Sequence, residues 1–147
     1  MNQTVIVFAS RHHQNTRKLV QNLAQTLGFD LIDAEDPAST DLSDYERIGF
    51  ASGIDFGRFY PSVEDFVKEH LPEGKSVFFL YTCARTSSRF TADMERLALD
   101  KDARILGSWG CRGYNTYGPW KWIGGMNKDH PSQQEIREAI DFCKNLL

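Results

Sequence analysis

The sequence predicts an α/β protein in which an open parallel sheet is covered by helices on both faces. Two observations lead to this fold class. Short apolar segments alternate with segments of helical periodicity, and the connections between them are short. The strand candidates are also continuously apolar rather than alternating, which is typical of strands buried on both faces of a parallel sheet. Repeated strand–helix units of this kind form such sheets.

Five segments are strand candidates. Three are strong apolar runs, and two are weaker, as expected at the edges of a sheet. The strong runs are Thr4–Phe8, Ile48–Ser52 and Val77–Tyr81, and the weak ones are Leu31–Ala34 and Arg104–Trp109. Residues 35–47 have no clear helical pattern, so we expect a loop or an irregular turn there.

Four apolar stripes with a spacing of three or four residues predict helices. The first helix is expected to end at Gly28, and the last to begin at Ser132, which forms a capping box with Glu135. The stripes are Leu19-Val20-Leu23-Ala24-Leu27, Val63-Phe66-Val67-Leu71, Phe90-Met94-Leu97-Ala98 and Ile136-Ala139-Ile140-Cys143-Leu147.

Composition excludes several classes of function. The chain has 147 residues, 41% hydrophobic and 25% charged, which predicts one globular domain over residues 1–147. A net charge of −3 gives no basic surface for nucleic acid, and no run of about 18 apolar residues predicts a membrane span. Three widely spaced cysteines and the absence of a secretory signal indicate a cytoplasmic protein with reduced thiols and no metal site.

Three loops follow the carboxyl ends of the strong strand candidates, where open α/β sheets bind their ligands. They span residues 9–16, 52–60 and 82–89. The first, ASRHHQNT, precedes a predicted helix, whose amino terminus offers unpaired N–H groups and a partial positive charge. The hydroxyl, amide and basic side chains of this loop suit a phosphate group. Asn15 or Thr16 could instead serve only as a helix cap.

The first loop matches neither of the common nucleotide-binding patterns. It lacks G-x-G-x-x-G as well as G-x-x-x-x-G-K-[ST], which argues against a dinucleotide or a nucleoside triphosphate. A phosphomonoester held by hydroxyl groups and backbone amides is the interpretation that its residues support.

Three separated segments resemble flavodoxin-like proteins, and they occur in the family's order. VFASRHHQNT is similar to a phosphate loop in which a hydroxyl residue is followed by His-His-Gly-Asn-Thr. Residues 45–70 resemble the third strand, first flavin loop and next helix of the family, and residues 111–131 resemble the segment before the last helix. The resemblance implies a doubly wound five-stranded sheet of order 2-1-3-4-5 and FMN as the cofactor.

The resemblance also implies three groups of FMN-binding residues. The first surrounds the phosphate, the second borders the isoalloxazine ring, and the third gives backbone hydrogen bonds to its pyrimidine end. The groups are Ser10, Arg11, His12, His13, Gln14, Asn15 and Thr16; Ser52, Gly53, Ile54, Asp55, Phe56 and Gly57; and Thr82, Cys83, Ala84 and Arg85. Two features depart from the family pattern: Gln14 stands in place of Gly, and the third loop lacks the aromatic residue that stacks on the flavin.

The residue types at the ring site indicate how it would work. Gly53 and Gly57 would let the backbone approach the ring, and Phe56, Phe59 or Tyr60 could cover one ring face. Phe56 could instead pack in the core. The peptide between Phe56 and Gly57 is expected to reverse its orientation at low strain. Arg85 would favour a negatively charged reduced flavin and so raise its potential. No side chain is expected to act as a covalent catalyst.

The expected function is redox chemistry carried by FMN. The electrons would pass to a redox partner protein or to a small acceptor such as a quinone. The aromatic segment 109–122 could cover the flavin edge, contact a partner, form a homodimer interface or pack as a small satellite core.

Other functions compete with this one. Cys83 and Arg89 are spaced as in C-x-x-x-x-x-R, the phosphate loop of cysteine-dependent phosphatases. The segment lacks the glycines of such loops, however, and no His precedes Cys83. A non-redox interaction module that has lost its flavin is a second alternative. A phosphoacceptor domain is excluded because Ala9-Ser10-Arg11 supplies no acidic residues to hold Mg²⁺.

Overall fold

A computed structural model describes residues 3–11, 15–83, 87–112 and 131–147 as strands and helices in alternation. The strands are β1 (Thr4–Ala9), β2 (Asp30–Asp33), β3 (Arg47–Asp55), β4 (Arg58–Phe59), β5 (Ser76–Cys83) and β6 (Arg104–Arg112). The helices are α1 (Asn15–Leu27), α2 (Pro61–His70), α3 (Ala92–Leu99) and α4 (Gln133–Lys144). A 3₁₀ turn over Ser88–Thr91 leads into α3.

Five of these strands form a parallel sheet in the order β2-β1-β3-β5-β6. The predicted order 2-1-3-4-5 is confirmed, since β4 lies outside this path and pairs antiparallel with the end of β3. The chain moves from β1 to β2 on one side and to β3 on the other. The carboxyl ends of β1 and β3 therefore flank the topological switch point at which ligands bind in such sheets.

Helices bury both faces of the sheet, which explains why the strands are apolar throughout. All six residues of β1 are buried, and the five apolar ones, Val5 to Ala9, alternate between two core clusters. One cluster lies under α2 and α3, where the rings of Phe50 and Phe79 stack with centroids 6.4 Å apart. The other lies under α1 and α4, and it includes Leu19, Leu23 and Ile136.

The helix ends follow the residues that the sequence indicated. α1 ends at Leu27, and Gly28 follows with a φ of 75°, donating its N–H to the carbonyl of Ala24 at 2.8 Å. Ser132 and Glu135 form the predicted capping box of α4, with hydrogen bonds of 3.1 and 3.0 Å.

The segment between β2 and β3 forms turns and bends, as expected. Buried Leu42 anchors it to the core under α2 and α3. Within the described ranges, no helix has both the length and the apolar character needed to cross a membrane.

Candidate functional site

The first loop is connected both to its own helix and to the end of β5. The Ser10 hydroxyl accepts a hydrogen bond from the backbone N–H of Arg17 at 3.0 Å, so Ser10 acts as a cap for the first turn of α1. The hydroxyls of Thr16 and Thr82 are hydrogen bonded at 2.9 Å, and both residues are buried. The structure thus brings together two predicted site residues that are 66 positions apart. His12, His13 and Gln14 lie outside the described residues.

Arg11 of the first loop and Arg17 of α1 are paired with acidic residues at the end of β2 and just after it. Arg17 contacts Asp33 at 2.9 Å, and Arg11 contacts Glu35 at 3.1 Å. The guanidinium of Arg11 also lies over the ring of Tyr60, 4.8 Å from its centroid. The hydrogen bond with Glu35 raises the pKa of Arg11, which therefore stays charged. The carboxylates of Asp33 and Glu35 consequently balance part of the positive charge near the first loop. Through its contact with Tyr60, Arg11 also connects the first loop to the second.

The second loop is a β-hairpin rather than the open loop that was expected over residues 52–60. β3 continues to Asp55, which pairs with Arg58 of β4 across a two-residue turn. Both turn residues, Phe56 and Gly57, have positive φ angles, 53° and 78°. This combination defines a type I′ turn, the type whose twist matches an antiparallel pair. The expected loop boundary at residue 52 is therefore wrong, because pairing with β4 extends the strand.

Phe56 stands at the tip of this hairpin and is 96% exposed, which excludes core packing as its role. The left-handed region costs a bulky residue energy, so an aromatic side chain held there in solvent points to a functional role. Reversing the central peptide of a type I′ turn gives a type II′ turn, in which the first central residue is normally Gly. Because Phe56 holds that position, the turn disfavours the reversal that the sequence led us to expect.

The base of the hairpin is fixed by buried contacts. The Ser52 hydroxyl donates to the carbonyl of Gly53 at 2.5 Å and accepts the backbone N–H of Tyr60 at 2.9 Å. A Cβ atom on Gly53 would collide with the Tyr60 hydroxyl and lie 2.9 Å from the ring carbon Cζ. Only Gly is accommodated there. The Ser52 side chain thus orders the hairpin, and the side chains of Ile54 and Asp55 become progressively exposed toward its tip.

An ion-pair network attaches the hairpin to two helices. Arg58 of β4 contacts Glu64 of α2 at 3.0 Å and Asp93 of α3 at 3.6 Å. The Glu64 side chain is only 6% exposed, and its hydrogen bonds to the guanidinium raise the pKa of Arg58. Asp93 also contacts Arg96 at 3.3 Å. The charge of Arg58 is therefore already balanced by protein carboxylates.

The third loop begins where β5 ends at Cys83. The Tyr81 hydroxyl donates to the carbonyl of Ser87 at 3.0 Å, and its ring packs edge-to-face on Phe90 at 5.7 Å. Burial raises the pKa of Tyr81, so its hydroxyl remains a donor. The Cys83 thiol donates to the carbonyl of Cys111 at 4.0 Å. Ala84 and Arg85 lie outside the described residues.

A cleft separates the tip of the hairpin from the third loop. Its volume is about 340 Å³, and its walls include Gly57, Ser87, Arg89 and Phe90. Within the described ranges, no three His, Cys, Asp or Glu residues are placed to hold a metal ion together. The residues that line the cleft offer a ligand glycine backbone, a hydroxyl group, a guanidinium and an aromatic ring.

The sequence and the fold both match known proteins. The flavodoxin domain family model matches residues 5–106, so the chain belongs to the flavodoxin domain family. An uncharacterized protein of Methanocaldococcus jannaschii is 33% identical over 147 residues, which cover 99% of this chain and 98% of that protein.

Solved structures show the same fold. Two-electron reduced flavodoxin of Megasphaera elsdenii gives a TM-score of 0.62 at 18% identity, covering 92% of this chain and 97% of that one. A flavoprotein of Lactobacillus acidophilus in complex with FMN gives a TM-score of 0.59 at 14% identity, covering 76% of this chain and 93% of that one. The flavodoxin-like fold predicted from the sequence is thereby confirmed.

Proposed function

We propose that this protein binds FMN at the carboxyl edge of the sheet and functions as a flavodoxin-like redox protein. The observation that carries this proposal is the direct connection of all three predicted FMN loops. Thr16 of the first loop is hydrogen bonded to Thr82 of the third, and Arg11 of the first lies over Tyr60 beside the second. Membership in the flavodoxin domain family supports the same cofactor.

The donors present in the first loop fit the phosphate end of FMN. A phosphomonoester needs several hydrogen-bond donors and a positive electrostatic environment, and the 13-residue helix α1 directs its amino terminus at this loop. Ser10 and Thr16 supply hydroxyls, and we propose that the loop amides, His12, His13 and Gln14 complete the site. Arg11 would close the side of the site toward β2 rather than neutralise the phosphate, because Glu35 already pairs with it.

The second and third loops fit the ring end. Gly53 leaves no room for a side chain, and Phe56 presents an aromatic ring with no competing core contact. We propose that residues 53–57 border the isoalloxazine ring, with Phe56 covering one face, and that the backbone of Thr82 and Cys83 faces its pyrimidine end. The exposed aromatic residue that the third loop lacks is thus supplied by the second.

FMN, when bound, supplies reversible electron transfer, and the chain itself supplies binding, orientation and electrostatic environment. We propose a redox partner protein or a small acceptor such as a quinone as the electron acceptor. The cysteine-dependent phosphatase finds no support in the Cys83 geometry, because the thiol is engaged by a carbonyl of β6.

A titration with two flavins tests the proposal. The purified protein should be yellow or take up FMN stoichiometrically, with quenching of FMN fluorescence. Riboflavin, which has the same ring but no phosphate, should bind at least about tenfold more weakly, since charge-assisted hydrogen bonds contribute roughly 1.5–3 kcal/mol each.

One serine variant tests where the phosphate binds, and a second serine variant serves as its control. Ser10→Ala should weaken FMN and leave riboflavin unchanged, whereas the control Ser108→Ala, on an exposed position of β6, should change neither. Failure of the wild-type protein to take up excess FMN would refute the proposal and favour an interaction module. Equal affinity for the two flavins would refute the assignment of the first loop.

A further inference from the structure

The buried hydroxyls of Thr16 and Thr82 hold one proton more than the hydrogen bond between them uses. Each hydroxyl carries a proton and can both donate and accept. The bond that joins their oxygens, 2.9 Å long, uses only one of these protons. Neither hydroxyl has a further hydrogen-bond partner among the described residues, and the two residues are only 1% and 4% exposed. The remaining proton is therefore kept from water and lacks an acceptor in this part of the chain.

The side chain of Thr82 lies on the face of the sheet that α1 covers. Residues of β5 alternate between the two core clusters, since Leu80 belongs to the cluster under α1 and α4, and Tyr81 to the cluster under α2 and α3. Thr82 continues this alternation, which brings its hydroxyl to Thr16 in the first turn of α1. Its backbone stays at the edge of the sheet, where it pairs with Gly53 at the base of the hairpin. One residue of the third loop can thus serve two parts of the site.

Packing alone does not explain two hydroxyls at this position. The core cluster under α1 and α4 is apolar, and two valines would fill nearly the same space as the two threonines. Replacing both partners of a buried hydrogen bond by apolar groups of the same shape costs a protein little stability. The unpaired backbone groups at the start of a helix are N–H donors rather than acceptors. The remaining proton therefore needs an acceptor from outside the helix, and an anion at the amino terminus of α1 would provide it.

We propose that Thr82 is a positioning residue for the phosphate of FMN and acts through Thr16. The Thr82 hydroxyl donates to the oxygen of Thr16, and the Thr16 hydroxyl then directs its own proton at a phosphate oxygen. Hydrogen bonds in such a chain polarise one another, so the bond to the phosphate is strengthened. This inference rests on the proposed binding of FMN. It gives the third loop a role in distinguishing FMN from flavins that lack a phosphate.

Fluorescence titrations of the full chain with FMN and with riboflavin test this role. Thr82→Val keeps the shape of the side chain but removes the hydroxyl. It should weaken FMN binding about three- to tenfold, as expected for the loss of one hydrogen bond, and leave riboflavin binding unchanged. Thr82→Ser keeps the hydroxyl and should bind FMN nearly as well as the wild type. Thr4→Val is the matched control and should change neither affinity, because Thr4 is similarly buried and hydrogen bonded but lies where β1 begins, at the opposite edge of the sheet.

A double variant separates this positioning role from a role in stability. Thr16→Val should weaken FMN binding at least as much as Thr82→Val does, and combining the two should cause no further loss, because the hydroxyls act in series. Urea denaturation should show the double variant to be about as stable as the wild type, since neither hydroxyl is left unpaired.

The outcomes separate this inference from the proposed function. Additive losses of FMN affinity, equal weakening of the two flavins by Thr82→Val, or unchanged FMN affinity in that variant would overturn the inference and leave FMN binding intact. A clear loss of stability in the double variant would likewise show that the hydroxyl pair serves the fold. Wild-type protein that takes up no FMN would overturn the proposed function, and this inference with it.

Discussion

Replacing Phe56 by Asn should stabilise the flavin-free protein and weaken FMN binding at the same time. Phe56 is 96% exposed with a φ of 53°, so its removal loses almost no buried surface and relieves backbone strain. An ordinary residue pays about 1–2 kcal/mol in the left-handed region, and Asn is several-fold enriched there. We therefore expect the free energy of unfolding to rise by about 0.5–1 kcal/mol.

The effect on FMN should have the opposite sign. If Phe56 covers one face of the flavin ring, its loss removes an aromatic contact of about 0.5–1.5 kcal/mol. At 1.4 kcal/mol per factor of ten, the FMN dissociation constant should rise about two- to twelvefold. A residue that costs stability and increases affinity would account for an exposed aromatic side chain at this strained position.

Urea denaturation of the apoprotein gives the first quantity, and FMN fluorescence quenching gives the second. Asp102→Asn is the matched control, since Asp102 has a φ of 52° in the turn after α3, far from the hairpin. Asp and Asn tolerate this region similarly, so neither quantity should change. A loss of stability in Phe56→Asn would show that Phe56 is packed or that its φ is negative. Unchanged FMN affinity would show that Phe56 does not cover the ring.

Three further predictions concern stability, pH and reactivity. Gly53→Ala should lower the free energy of unfolding by roughly 1–3 kcal/mol, measured in urea, because its Cβ collides with buried Tyr60; wild-type stability would contradict the packing described. The hydrogen bond to Asp30, 2.6 Å long, raises the pKa of Tyr45 to about 12. The folded state thus keeps the Tyr45 hydroxyl proton, which the unfolded state loses near pH 10. The contribution of this hydrogen bond to the free energy of unfolding should therefore be full below pH 10 and fall toward pH 12, and the free energy should fall less steeply in Tyr45→Phe. Equal slopes of the free energy of unfolding against pH in the two proteins would refute the contact. Of the three cysteines, only half-buried Cys83 should react rapidly with a thiol reagent in the native protein, because burial raises the pKa of the Cys111 and Cys143 thiols. Rapid labelling of all three would show that the core opens.

The strands of the sheet could be predicted because each one is recognisable from its own residues. A strand buried on both faces must be apolar along its length, so runs such as Val77–Tyr81 were visible without knowledge of their neighbours. The capping box of Ser132 and Glu135 was equally local. The order of the strands came from resemblance, since apolar runs do not determine which strand pairs with which.

The site was only partly predictable because its geometry depends on distant pairing. β4 has two residues, too few for a periodic pattern, and Phe56-Gly57 is not one of the Asn-Gly or Asp-Gly pairs that mark a two-residue hairpin turn in a sequence. The sequence showed a basic first loop, but the pairing of Arg11 with Glu35 across 24 positions could not be predicted from it. Likewise, the bond between Thr16 and Thr82 depends on the finished fold.

The attachment of Arg58 to Glu64 and Asp93 has a consequence for how quickly the site can be filled. A hairpin tied to two helices cannot swing aside as a lid, so its tip stands in the same place before and after a ligand arrives. Little conformational entropy of the hairpin is then lost on association, and no movement of the hairpin delays it. The association rate should be limited by diffusion and orientation, and ligands that differ in affinity should differ mainly in their dissociation rates.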